Sequence, residues 1–187
     1  MMIRATVLAL CFVMLLVTPS SARPWKPRPE IVARDYGLIL DNRSNNEQVL
    51  IMWVVRPGLT APPGSPGAAV LDATFDEHVV IFLSHSHLNP GTAESTFETV
   101  NSLNAMDWQQ RSLKPLSREK LSPASNGVLT TMEQAMRQAY GKMGEHFNGF
   151  VFEAGAVRAC EQGGLAVLYA GETYTWETPI PGCPGRP

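Results

Sequence analysis

Two histidines one residue apart, His85 and His87, close an apolar run in the stretch FDEHVVIFLSHSHLNPG, residues 75–91. Side chains alternate in direction along an extended strand, so both imidazoles project from one face. First-row metals accept imidazole nitrogen at about 2.0–2.1 Å, and two rings at this spacing can share an ion. A third ligand must come from elsewhere. His78 is the nearest histidine, but it lies seven residues from His85. On a straight strand it faces the other way and joins the pair only across a bulge or from a neighbouring strand. His85, His87 and His78 are therefore the candidate ligands of a zinc or copper site. The competing reading is a polar strand end entering a turn, which needs no cofactor.

The same run is similar, at two positions, to the H-x-H-x-D-H run that follows a strand in metallo-β-lactamase-like hydrolases. His85 and His87 match. Asn89 stands where that family carries its Asp, and Pro90 where it carries its next His. Neither offers a carboxylate or an imidazole. What the resemblance implies, metal-dependent hydrolysis, reaches no further than the two matching histidines.

The element that must carry the pair is legible nearby. Val79 to Leu83 is apolar without a break, the pattern of a strand covered on both faces. The β-branched content favours a strand, and Asn89-Pro90-Gly91 supplies a turn after it. Asp76, Glu77 and His78 stand just before it, with no nucleophile implied. The chain shows no Gly-rich phosphate loop, no G-x-S-x-G elbow and no H-E-x-x-H. These missing motifs make the leading expectation a non-enzymatic binding or envelope accessory protein. A metal-binding protein or metallohydrolase built on His85-x-His87 is the first alternative.

The N-terminus addresses compartment. Arg4 precedes an apolar core from Val7 to Val17, and Ser20 and Ala22 are small residues at the −3 and −1 positions of a cleavage site. Residues 1–22 read as a secretory signal peptide, too short in apolar length for a bilayer span of about 20 residues. The expected location is the periplasm or the extracellular space, with no transmembrane segment after cleavage. Cys11 leaves with the leader. Cys160 and Cys183 then remain as one pair, which an oxidising compartment should join in a disulfide. The formal net charge of the 187 residues is −2, and no basic face points to nucleic acid. The partner expected is an envelope protein or a small ligand.

The chain after the leader has the length of one domain, 31–187, preceded by an extended Pro-rich arm, 23–30, reading RPWKPRPE. Ile31–Leu40 and Val49–Val55 read as strands joined through the turn-rich Asp41–Asn46. Pro57–Gly67 reads as a loop. Ser95–Trp108 fits strand and helix periods, with the Thr and Asn content favouring strand. Val128–Phe147 is the one clear helix, with Leu129, Met132, Met136, Tyr140, Met143 and Phe147 on one stripe. Phe150–Phe152, Leu165–Tyr169 and Thr173–Thr178 are short strands, with tight turns marked by Gly163-Gly164 and Gly171-Glu172. Tyr174 and Trp176 share a strand face and form a candidate platform for a sugar or peptide; core packing is the alternative. The fold class expected is α+β and β-rich, an antiparallel sheet or sandwich with one long amphipathic helix.

Overall fold

The structure, a computed structural model, describes residues 28–184. The signal peptide and most of the Pro-rich arm lie outside these residues. The described chain opens on helix α1, Pro29–Gly37. Here the structure corrects the expected strand Ile31–Leu40. Proline at the first helical position has its ring pre-set for a helix and loses no needed donor, and the strand starts only at Leu38. Gly37 makes the junction: a Cβ there would come 2.3 Å from the Trp53 carbonyl oxygen. Strands β1, Leu38–Asn42, and β2, Glu47–Val54, follow as the expected antiparallel pair.

The segment expected as loop holds a short 3-10 turn at Arg56–Gly58 and ends in helix α2, Pro66–Glu77. The Ser65 hydroxyl caps α2 by accepting from the Ala68 N–H at 3.1 Å, and Pro66 again sits in its first turn. Strand β3, His78–Leu88, carries the apolar run and both paired histidines. Ser95–Trp108 resolves into β4, Ser95–Phe97, and β5, Asn104–Asp107. A two-residue strand, β6, Pro115–Leu116, precedes helix α3, Pro123–Glu145. This helix starts five residues before the expected Val128, because Ser122 caps it by accepting from the Ser125 N–H at 3.1 Å and Pro123 fills its first position. Gly141, at φ 54° and ψ −130°, interrupts it one turn before its end. Strands β7, Asn148–Glu153, β8, Gly163–Tyr169, and β9, Glu172–Thr178, complete the chain. Gly163 and Gly164 lie within β8, paired to Thr178 and Glu177, rather than in a turn. The β8–β9 hairpin turns at Ala170 and Gly171, both at positive φ.

The strands form two antiparallel sheets. The larger runs β1-β2-β3-β7-β6, with β4 also paired to β3; the smaller runs β5-β8-β9. The architecture is α+β and β-rich, with three layers: small sheet, large sheet, helices. Alternation along β3 divides the core. Val79, Ile81 and Leu83 face the small sheet together with Val49, Ile51, Trp53, Leu165, Val167 and Trp176. Val80 and Phe82 face α3, packing with Met52, Leu129, Met132 and Val151. A strand buried on both sides is why Val79–Leu83 shows no polar interruption. Cys160 and Cys183 are disulfide-bonded, Cα to Cα 5.4 Å. Among the described residues no helix is long and apolar enough to cross a membrane.

A candidate metal centre at the end of the central strand

The alternation that points Leu83 at the small sheet continues through His85 and His87. Both rings stand on that same face, with centroids 5.0 Å apart. Strand β3 holds them in register between two neighbours. On one side, β2 places Glu47 opposite His87. On the other, the Asn89–Glu94 turn folds the chain back, with Asn89 N–H donating to the Glu94 carbonyl at 2.8 Å and the Asn89 side chain accepting from Gly91 N–H at 2.9 Å. That hairpin delivers β4. Phe97 lies on the helix face of β4, stacked on His146 at 4.1 Å between centroids. Glu98, the next residue, turns to the histidine face, and its N–H donates to the His85 carbonyl at 2.9 Å.

Glu98 bridges the two rings. Its Oε1 lies 2.7 Å from His87 Nε2 and its Oε2 lies 2.9 Å from His85 Nδ1. One ligand atom from each of His85, His87 and Glu98 falls within 4.8 Å of the others. Across the rings from Glu98, Glu47 Oε2 is 3.9 Å from His85 Nε2 and Glu47 Oε1 is 3.9 Å from His87 Nδ1. From the small sheet, the Tyr169 hydroxyl reaches to 2.9 Å from His85 Nδ1. The His85 side chain is 5% exposed, whereas His87 and Glu98 open to solvent at 36% and 48%. The cluster is a half-open cup rather than a closed cage.

The hydrogen bond from His87, with the positive charge available on both imidazoles, holds the Glu98 carboxyl below the usual carboxylate range against a smaller cost of burial. Burial pushes the Tyr169 phenol up, and the charges of Glu98 and Glu47 push it further. Tyr169 therefore stays a protonated hydrogen-bonding group at neutral pH. His85 Nε2 is buried with no hydrogen-bond partner, a situation that costs about 1–3 kcal/mol.

The two nitrogens of His85 meet different neighbours. Nδ1 lies 2.9 Å from both a Glu98 oxygen and the Tyr169 hydroxyl, which can donate to it, whereas Nε2 faces the Glu47 carboxylate at 3.9 Å. With the proton on Nε2, the Nδ1 lone pair points toward Glu98, where a cation held between the rings and that carboxylate would lie. Donors around a tetrahedral ion at 2.0–2.1 Å sit about 3.3 Å apart. The Glu98 contacts need to open by roughly half an ångström to admit one, and the exposed side chains of His87 and Glu98 leave room for that.

The structure places the other sequence candidates elsewhere. His78 is not brought to the pair. It closes the C-terminus of α2, its Nδ1 3.0 Å from the Thr74 carbonyl oxygen, about 23 Å from His85 at the usual strand rise. Tyr174 and Trp176 share a face as expected, but it is the inner face. They are 6% and 2% exposed and Trp176 packs edge-on against Trp53 at 6.1 Å. This corrects the aromatic platform: two-residue alternation identifies which residues share a face, not which face is outside. Tyr174 instead donates its hydroxyl to Asp41 at 2.8 Å and accepts from Arg43 at 2.6 Å. Burial and the bond to Asp41 push its phenol up to about 12. Spectrophotometric titration should therefore show one tyrosine ionising about two units above an exposed one. Because the folded value is the raised one, Tyr174 favours the folded state fully below pH 10, and that contribution falls away between about pH 10 and pH 12. Tyr174→Phe should remove the late step from the titration.

Glu98, Glu47 and Tyr169 are the site residues that the sequence alone does not reveal. They stand 11, 40 and 82 residues from His87 in chain order; the pairing of β3 with β4 and β2 brings in Glu98 and Glu47, and the packing of the small sheet on the large one brings in Tyr169. No family model matches the chain, and comparison with curated proteins and with solved structures finds no significant match.

Proposed function

We propose that this protein is an exported divalent-metal-binding protein whose centre is formed by His85, His87 and Glu98. The observation that carries the reading is the convergence of one ligand atom each from His85, His87 and Glu98 within 4.8 Å of one another, with His85 buried and His87 and Glu98 open to solvent. Two carboxylates and two neutral imidazoles leave a charge of −2 that a divalent ion cancels. The mixed nitrogen and oxygen donors suit zinc, iron(II) or manganese(II); imidazole also suits copper(II), while copper(I) is selected by sulfur donors. Three protein donors and an exposed side match zinc centres that keep one position for water or a ligand. The disulfide and the leader-like residues 1–22 support an exported protein.

The test is the thermal midpoint of metal-stripped protein with and without zinc. Zinc at one hundred times its dissociation constant should add about 2.7 kcal/mol, or roughly 5–10 °C for a domain of this size. His85→Ala/His87→Ala should abolish the rise, and His78→Ala should leave it intact. A midpoint unmoved by zinc, copper, iron(II) and manganese would overturn the reading. The cluster would then be a hydrogen-bonded group of side chains at the strand end and nothing more.

A further inference from the structure

Metal-binding histidines need both ring nitrogens provided for: one lone pair toward the ion, and an acceptor for the N–H on the other side. In this centre the first need points at Glu98 and the second at Glu47. The ligand atoms that converge within 4.8 Å belong to His85, His87 and Glu98. With the ion there, His85 binds through Nδ1 and His87 through Nε2, the nitrogens 2.9 and 2.7 Å from Glu98. The remaining N–H groups are then Nε2–H of His85 and Nδ1–H of His87. Both face Glu47, each 3.9 Å from a different oxygen of that carboxylate. The partnerless buried atom of the cluster is His85 Nε2, the one that ligation through Nδ1 turns into a donor.

Resting on the metal-binding reading, we propose that Glu47 is the positioning residue of the centre, one carboxylate orienting two metal-binding histidines. Its two oxygens accept one N–H each. This fixes His85 as the Nε2–H tautomer and His87 as the Nδ1–H tautomer, and leaves the correct lone pairs toward the ion. Strand pairing sets the arrangement up: Glu47 is the register partner of His87, on β2, beside the strand that carries both rings. Closing 3.9 Å to a hydrogen bond takes under an ångström of movement, which the 30% exposed Glu47 side chain is free to make. In this arrangement Glu98 binds the ion and Glu47 does not touch it.

The test compares zinc affinity, by chelator competition, in the wild type, Glu47→Gln and Glu98→Gln. Nitrogen-15 NMR of the imidazoles is recorded on the zinc-loaded wild type. A glutamine at 47 keeps one acceptor but turns an amide donor toward the second N–H. It should weaken zinc about 10- to 100-fold at unchanged stoichiometry, with the metal-free thermal midpoint unchanged. Glu98→Gln should lose more than Glu47→Gln. The NMR should show Nε2–H on His85 and Nδ1–H on His87, and these two N–H signals, recorded also in zinc-loaded Glu47→Gln, should move as their hydrogen bonds to the carboxylate are lost, a change that a merely structural Glu47 has no reason to produce. Wild-type affinity in Glu47→Gln, the opposite tautomers, or a larger loss at Glu47 than at Glu98 would each overturn the positioning role while leaving the metal centre standing. A wild type that binds no zinc or other divalent ion would remove both.

Discussion

Replacing Phe82 by alanine should cost about 3–5 kcal/mol of unfolding free energy, the range for deleting a buried aromatic ring. Phe82 sits at the middle of β3 on its helix-facing side and is fully buried. Its ring meets Phe147 edge-on at 6.3 Å and lies over Gly149, its register partner on β7, where a Cβ would come within 3.0 Å of it. The floor beneath the ring is therefore backbone held in a sheet ladder, which cannot collapse into the space a lost ring leaves. A cavity that stays open puts the cost toward the top of the range. Urea unfolding should show a lower midpoint at unchanged slope. Phe97→Ala offers the contrast: Phe97 stacks on a single histidine at a half-exposed strand end and should cost under about 1.5 kcal/mol. A Phe82→Ala cost under 1 kcal/mol would mean that α3 settles onto the sheet and that the helix layer is loosely fitted.

The second large effect belongs to the disulfide. Reducing Cys160–Cys183, or replacing both by alanine, should cost about 3 kcal/mol on the chain-entropy model for a loop of this separation. The bond ties the segment entering β8 to the segment leaving β9, so it fastens the open end of that hairpin. Tyr169, the small sheet's contribution to the histidine cup, lies at the opposite, turn end of β8. Reduction should accordingly lower the unfolding midpoint and leave zinc affinity unchanged. Loss of zinc affinity on reduction would show that the two ends of the small sheet are mechanically joined.

The fold class was legible because its signals are local and periodic. The unbroken apolar run of β3, the stripe of α3 and the short tail strands all declare themselves within windows of a dozen residues. Helix α1 was missed because Tyr36, Leu38 and Leu40 alternate like a strand although only the last two belong to one. The signal that would have found it is Pro29 at a helix start. Ser65-Pro66 opens α2 by the same device. In the candidate site, the pairing of His85 with His87 needed only the two-residue period. Its carboxylates needed the pairing of β3 with β2 and β4, information that resides in tertiary register rather than in spacing. His78 shows the same lesson reversed: close to the pair in sequence, it ends on a helix cap because α2 stops there.

Strand β3 also sets the order in which the molecule can be finished. Its neighbour β2 precedes it, and β4 follows within a few residues, but β7, which covers the other edge of Val79–Leu83, comes about 65 residues later. At roughly 5–20 residues per second, the ribosome delivers that partner several seconds after the apolar strand has emerged. During that interval an unbroken apolar strand has one unsatisfied ladder edge, a template for pairing with a neighbouring nascent chain. Cells making this protein from truncated messages ending before residue 148 should accumulate aggregate, whereas the full-length product closes the edge itself.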